Sequence, residues 1–138
     1  MRTVLVDTSA FVALVSQDDA AHAAAHQTAR ALAEEGAALY TTNFLVAETY
    51  TVLLRRSGAE VARAWLNALR MPVVRVMSVD EQRAEEVLTT PVAADSPHFH
   101  AHSYFDATSF AVMERFGSQD AFAFDRHFRL AGFNVLGL

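Results

Sequence analysis

Apolar residues fall in short runs separated by longer stretches of helical spacing. Residues 3–6 are β-branched and apolar, fit for a buried strand. Residues 39–42, 73–77, 121–124 and 134–136 repeat the pattern, the last as an edge strand. Between them lie stretches with helix signals. A short helix over 10–15 follows the cap-type residues Asp7, Thr8 and Ser9. A second runs over 20–35, capped by Asp18 or Asp19 and stopped by Gly36. A third runs from a cap at Asn43 through Arg56, ended by Gly58, and a fourth over 59–70, closed by Pro72. Ser78-Val79-Asp80-Glu81 carries a capping-box pattern that opens a fifth helix to about 88. Ser103 opens a sixth, to 116 before Gly117, and Asp125 caps a short one to 131. Residues 89–102 form the one long loop.

The strands are continuous apolar runs without polar alternation, which predicts burial on both faces. Strands alternating with helices then predict an α/β fold, an open and mostly parallel sheet with helices on both sides. Such sheets place their sites beyond the carboxyl ends of the strands. A chain of 138 residues is the size of one domain, here expected over 1–138.

Composition narrows the chemistry. There is no cysteine, which removes disulfides, thiolate metal sites and cysteine nucleophiles. There is no lysine either, so Schiff-base and P-loop lysine chemistry is absent. The net charge of -5 does not advertise a nucleic-acid partner. Such a partner must be met by local arginines or by bound cations. No run reaches the roughly 18 apolar residues of a membrane span, and the opening residues lack the long apolar core of a signal peptide. A cytoplasmic protein without a membrane segment is expected.

Four acids stand in unusual places. Asp7 directly follows the first strand and Asp125 the fourth, where each serves equally well as a helix N-cap. Glu48 lies on an apolar row of the third helix, four residues from Phe44 and from Val52. It is either a helix edge reaching water or part of a polar site. Asp106 fits a capping box with Ser103. In a parallel sheet all four elements can point to one edge. Carboxylates so gathered raise each other's pKa, and a hard divalent cation such as Mg²⁺ or Mn²⁺ relieves the repulsion. Such a centre activates water and clamps a phosphodiester.

Four segments carry a resemblance. They are Val4-Leu5-Val6-Asp7-Thr8-Ser9-Ala10, Asn43-Phe44-Leu45-Val46-Ala47-Glu48, Ser103-Tyr104-Phe105-Asp106-Ala107-Thr108-Ser109-Phe110, and Ala123-Phe124-Asp125-Arg126-His127-Phe128 with Gly132-Phe133. In this order and spacing the chain resembles the PIN-domain family, specifically the VapC-type toxins of toxin–antitoxin pairs. The resemblance implies a three-layer α/β/α sandwich and a Mg²⁺- or Mn²⁺-dependent endoribonuclease. It makes Asp7 and Asp106 the principal metal ligands. Glu48 and Asp125 complete the cluster directly or through water, and Thr8 or Ser9 bonds Asp7 or a metal-bound water. It further implies an RNA substrate, a homodimer, and a cognate antitoxin that covers the site and inserts an arginine. Phe11, Leu14 and Val15 are either part of the groove for that partner or core. Ala123 departs from the family's Thr or Ser, which removes one hydroxyl near the last acid.

Guanidinium forks suit phosphate. Arg126, beside a site acid, is the favoured phosphate contact, with Arg55, Arg56 and Arg129 behind it; a solvated surface charge is the ordinary alternative. The loop holding His98, His100 and His102 is either solvated, an RNA contact, or a site for a softer metal. A haloacid-dehalogenase-type phosphatase is disfavoured, since Ser9 stands where its second aspartate is needed and no lysine is present. A nuclease of the same fold acting on DNA or structured RNA, and a non-catalytic binding module, remain as alternatives.

Overall fold

A computed structural model describes residues 1–91 and 102–138. In chain order its elements are β1 (Thr3–Val6), α1 (Thr8–Val15), α2 (His22–Glu35), β2 (Ala38–Thr42), α3 (Asn43–Ser57), α4 (Ala59–Ala68), β3 (Val73–Val74), α5 (Ser78–Thr89), α6 (Tyr104–Phe116), β4 (Asp120–Phe122), α7 (His127–Leu130) and β5 (Asn134–Leu136). The five strands pair in parallel throughout, in the order β3-β2-β1-β4-β5. The chain therefore moves outward from β1 on one side and returns to β1's other side with β4. The crevice between β1 and β4, at their carboxyl ends, is the topological switch point.

Successive strand residues point to opposite faces, so each apolar run feeds two cores. Leu5, Tyr40, Ala121 and Ala123 pack with Leu45, Phe110, Met113 and Phe128 from α3, α6 and α7. Val4, Val6 and Phe122 pack on the other face with Ala10, Phe11, Ala25 and Leu32 from α1 and α2. This is the expected α/β/α sandwich. Phe11 is buried with its ring edge-on to Trp65, and Leu14 and Val15 are half-buried against the same packing. Phe11 is a core residue, and Leu14 and Val15 pack against the core with part of each side chain exposed. No helix among the described residues is long and apolar enough to cross a membrane.

Several local expectations shift, each for a hydrogen-bonding reason. Thr42, not Asn43, caps α3, accepting from the Leu45 N–H at 3.1 Å. Asn43 instead accepts from the Val76 N–H at 2.7 Å, and β3 stops at Val74. The box at the start of α5 sits one residue earlier, with the Met77 N–H donating to Asp80. Neither Asp18 nor Asp19 caps α2, whose N-cap is Ala21; Asp19 accepts from the Ala21 N–H one turn too early. β4 ends at Phe122 because the Phe124 N–H donates to the Ser9 hydroxyl at 2.9 Å. Gly36 and Gly117 close α2 and α6 in the left-handed conformation, as expected of glycine there.

Asp80 is 2% exposed and is held by Arg115, whose Nε and Nη2 each donate to a carboxylate oxygen at 2.8 Å. The pair joins α5 to α6. Removing the guanidinium leaves a buried carboxylate with one backbone donor. Arg115→Ala is therefore expected to cost about 2–3 kcal/mol, below the full value for a buried pair because the arginine is partly exposed. Urea unfolding measures this, and an unchanged midpoint would show the pair to be dispensable.

Candidate active site

The first acid is positioned by the end of β1. The Asp7 N–H donates to the Phe122 carbonyl at 3.0 Å, which places it beside the end of β4. Its side chain caps α1, accepting from the Ser9 N–H at 3.1 Å. The Ser9 hydroxyl donates to the same oxygen, Oδ2, at 2.6 Å and accepts from the Phe124 N–H. One serine thus fixes the Asp7 rotamer and ties it to the strand end that leads to Asp125. Capping and site placement, set against each other in sequence, coexist here. Ser9→Ala is expected to leave the fold intact and to lower turnover in the RNA cleavage that the resemblance implies about 10-fold by freeing the Asp7 carboxylate, with kcat falling more than KM rises. Equal kcat in the two proteins would remove this positioning role.

The other three acids arrive from separate elements. Glu48 sits half-buried on α3 near the Thr8 hydroxyl, which donates to the Leu45 carbonyl at 3.4 Å. The Thr8 hydroxyl in turn accepts from the Thr49 hydroxyl at 2.9 Å. Asp106 lies in the first turn of α6, whose cap is Ser103; the Ser103 hydroxyl accepts from the Asp106 N–H at 3.0 Å. Asp125 follows β4 and accepts from the His127 N–H at 2.8 Å. The helix there begins only at His127, with Arg126 as N-cap, so Asp125 forms a local turn and is not the helix cap. An open cleft of about 720 Å³ is lined by all four acids, together with Thr8, Ser9, Arg56, Ser103 and His127.

Electrostatics in the cleft are strained. Burial pushes Asp7 up to about 6, against the two hydrogen bonds from Ser9, and the charges of Glu48 and Asp125 add to the rise. Asp106 is pushed up to about 8 by burial, then by the charges of Asp125 and Asp7, a carboxyl–carboxyl hydrogen bond with Asp125, and the charge of Glu48. Glu48 is also raised, by burial first and by Asp125, although Thr8 opposes this. No positive side chain among the described residues hydrogen-bonds or ion-pairs with the four acids. One oxygen each from Asp106 and Asp125 and one ring nitrogen of His127 lie within 4.8 Å of one another. Hard oxygen donors, mutually repelling and open to solvent on one side, are the donor set a divalent cation fits.

The remaining expectations divide. Of the arginines, Arg56 lines the cleft; Arg55, Arg126 and Arg129 are not among its lining residues, and all four are exposed. Helix geometry explains this, since Arg56 lies two turns beyond Glu48 on one face of α3. Ala123 is fully buried in the core, and the hydroxyl near β4 comes from Ser9. His98 and His100 lie outside the described residues. His102 is not a solvated loop residue: its ring is edge-on to Phe110 and its Nδ1 is 2.8 Å from His127 Nδ1. His127 was legible only as part of a motif. Its place two residues after a strand-end acid was the available signal.

The PIN domain profile matches residues 4–134. The chain is 38% identical over 130 residues to the 23S rRNA-specific endonuclease VapC20 of Mycobacterium tuberculosis, covering 94% of this chain and 95% of that protein. The crystal structure of M. tuberculosis VapC20, described as a sarcin–ricin loop cleaving toxin, superposes with a TM-score of 0.78 at 36% identity, over 94% of this chain and 95% of that one. The Rickettsia felis VapBC2 structure, bound to a promoter DNA fragment, superposes with a TM-score of 0.68 at 9% identity, over 96% of each chain, and shares the fold.

Proposed function

Because this chain belongs to the PIN-domain family, we propose that it is a toxin-type endoribonuclease that hydrolyses RNA phosphodiester bonds with a divalent cation, Mg²⁺ or Mn²⁺, held by Asp7 and Asp106 with Glu48 and Asp125. The observation that carries the reading is the convergence of four carboxylates from β1, α3, α6 and the end of β4 in one cleft. Burial and mutual repulsion keep the pKa values of Asp7 and Asp106 raised.

When bound, the cation supplies Lewis-acid polarisation of a phosphoryl oxygen and lowers the pKa of water. The chain's own residues do the rest. Ser9 orients Asp7 through its hydroxyl. Glu48, whose pKa is raised by burial and by the charge of Asp125, is the base that takes the proton of the attacking water. Arg56 meets a neighbouring phosphate with its guanidinium fork. The substrate proposed is a structured ribosomal RNA loop, by likeness to the 23S rRNA-specific relative. The proposed regulating partner is a cognate antitoxin whose arginine enters the cluster of acids, where a guanidinium relieves the same repulsion as a cation. Homodimer formation belongs to this reading as well, with light scattering as its check.

The test is incubation of the purified chain with bacterial ribosomes, extracted total RNA and single-stranded DNA, in Mg²⁺, in Mn²⁺ and in EDTA. Discrete cuts in 23S rRNA that vanish in EDTA are expected, with DNA intact. Cleavage of DNA alone would replace the substrate, and cleavage surviving EDTA would remove the metal from the reading.

A further inference from the structure

The imidazole of His127 stands apart from the carboxylate chemistry described so far. It is half-buried, it lines the cleft, and one of its ring nitrogens lies within 4.8 Å of an oxygen of Asp106 and of Asp125. A second imidazole holds its ring. His127 Nδ1 is 2.8 Å from His102 Nδ1, the two rings meet at 5.0 Å and 71°, and the His102 ring is edge-on to Phe110 at 5.1 Å. Phe110 is itself buried against Phe128. The His127 backbone is fixed too, since its N–H donates to Asp125 Oδ1.

Metal-bound histidines characteristically spend their second nitrogen on an outer hydrogen bond, which sets the tautomer and aims the ring. In the tautomer in which His127 Nδ1–H donates to His102 Nδ1, His127 Nε2 carries the lone pair that binds a metal. A solvated surface histidine needs neither a ring partner nor an aromatic support.

We propose that His127 is a nitrogen ligand to the cation at this centre, and that His102 is the positioning residue behind it. The inference rests on the metal-dependent reading above and deepens it: the centre holds a mixed nitrogen and oxygen set built on Asp106, Asp125 and His127. Imidazole nitrogen favours Mn²⁺ and later transition metals over Mg²⁺, which prefers an all-oxygen shell. The chain therefore selects Mn²⁺, Co²⁺ or Zn²⁺ over Mg²⁺ at equal concentration.

The probe is Mn²⁺ itself, added to the purified full chain. Electron spin echo spectroscopy of the bound ion is expected to show ¹⁴N modulation in the unmodified protein and none in His127→Ala. By calorimetry, His127→Ala is expected to weaken Mn²⁺ about 10-fold and Mg²⁺ less than about twofold, with circular dichroism unchanged. The unmodified protein reports on ligation even where a variant folds poorly. Mn²⁺ that binds without ¹⁴N modulation, and is lost in Asp106→Asn, overturns the nitrogen ligand and leaves the carboxylate centre standing. Failure of the folded protein to bind either cation overturns the inference together with the metal-dependent reading.

Discussion

Asp7→Asn and Asp106→Asn are each expected to lower RNA cleavage by at least about 10³-fold, the scale at which loss of a charge-stabilising group at a reacting phosphate is felt. An amide keeps the shape and the hydrogen-bond acceptor but removes the anion. In Asp7→Asn the new side chain can therefore still accept from Ser9 and cap α1. The loss should appear in kcat. Asp106→Asn should at the same time raise the stability of the metal-free protein, because burial and neighbouring charges push the carboxylate it removes up to about 8. A Tm gain of about 5 °C at pH 8 corresponds to about one to two kcal/mol in a domain of this size. Activity and stability thus move in opposite directions at one residue. A protein that loses activity because it unfolds would show both falling, and scanning calorimetry beside a cleavage assay separates the two.

Metal-free protein is expected to lose stability as pH rises from about 4 to above 8. Asp7 and Asp106 have folded pKa values raised from 3.8 to about 6 and about 8. A raised value means that the folded state holds the proton more tightly than the unfolded chain. The stabilisation is complete below 3.8, and is lost as pH passes 6 for Asp7 and 8 for Asp106. Each unit of displacement is worth about 1.4 kcal/mol. A cation binds the deprotonated acids and reverses the loss. Saturating Mn²⁺ at about 100 times its Kd adds about 2.7 kcal/mol. Its effect on Tm should be several-fold larger at pH 8 than at pH 5, where protons already neutralise the site. A Tm in EDTA that stays level across this range would show that the acids do not repel one another, and the cluster would lose its electrostatic basis.

Much of the fold is legible because burial on two faces leaves a plain mark. The runs at 3–6 and 121–124 carry no polar alternation, and both faces of β1 and β4 are indeed covered. Gly36 and Gly117 are legible because few other residues take the left-handed conformation that ends α2 and α6. Caps were less so. Thr42 and Asn43 both suit the start of α3, and only the Val76 N–H, 33 residues away, decides that Asn43 is used elsewhere. The same holds for β4, whose last predicted residue gives its N–H to Ser9 and so leaves the ladder.

The sequence by itself determined the alternation of parallel strands and helices, and the placement of Asp7 and Asp125 just beyond the ends of β1 and β4. Both follow from local patterns: the period of apolar residues, and the residue that comes next. Only the tertiary structure decided which charges share the cleft. Arg56 lines it and Arg126 does not, although Arg126 is the one beside a site acid in sequence. His102 meets His127, 25 residues onward, because α6 and α7 pack on one face of the sheet through Phe110 and Phe128. The raised acids at positions 7 and 106 are likewise a product of packing. Their pKa values depend on burial and on neighbours brought together from distant parts of the chain, which no local pattern encodes.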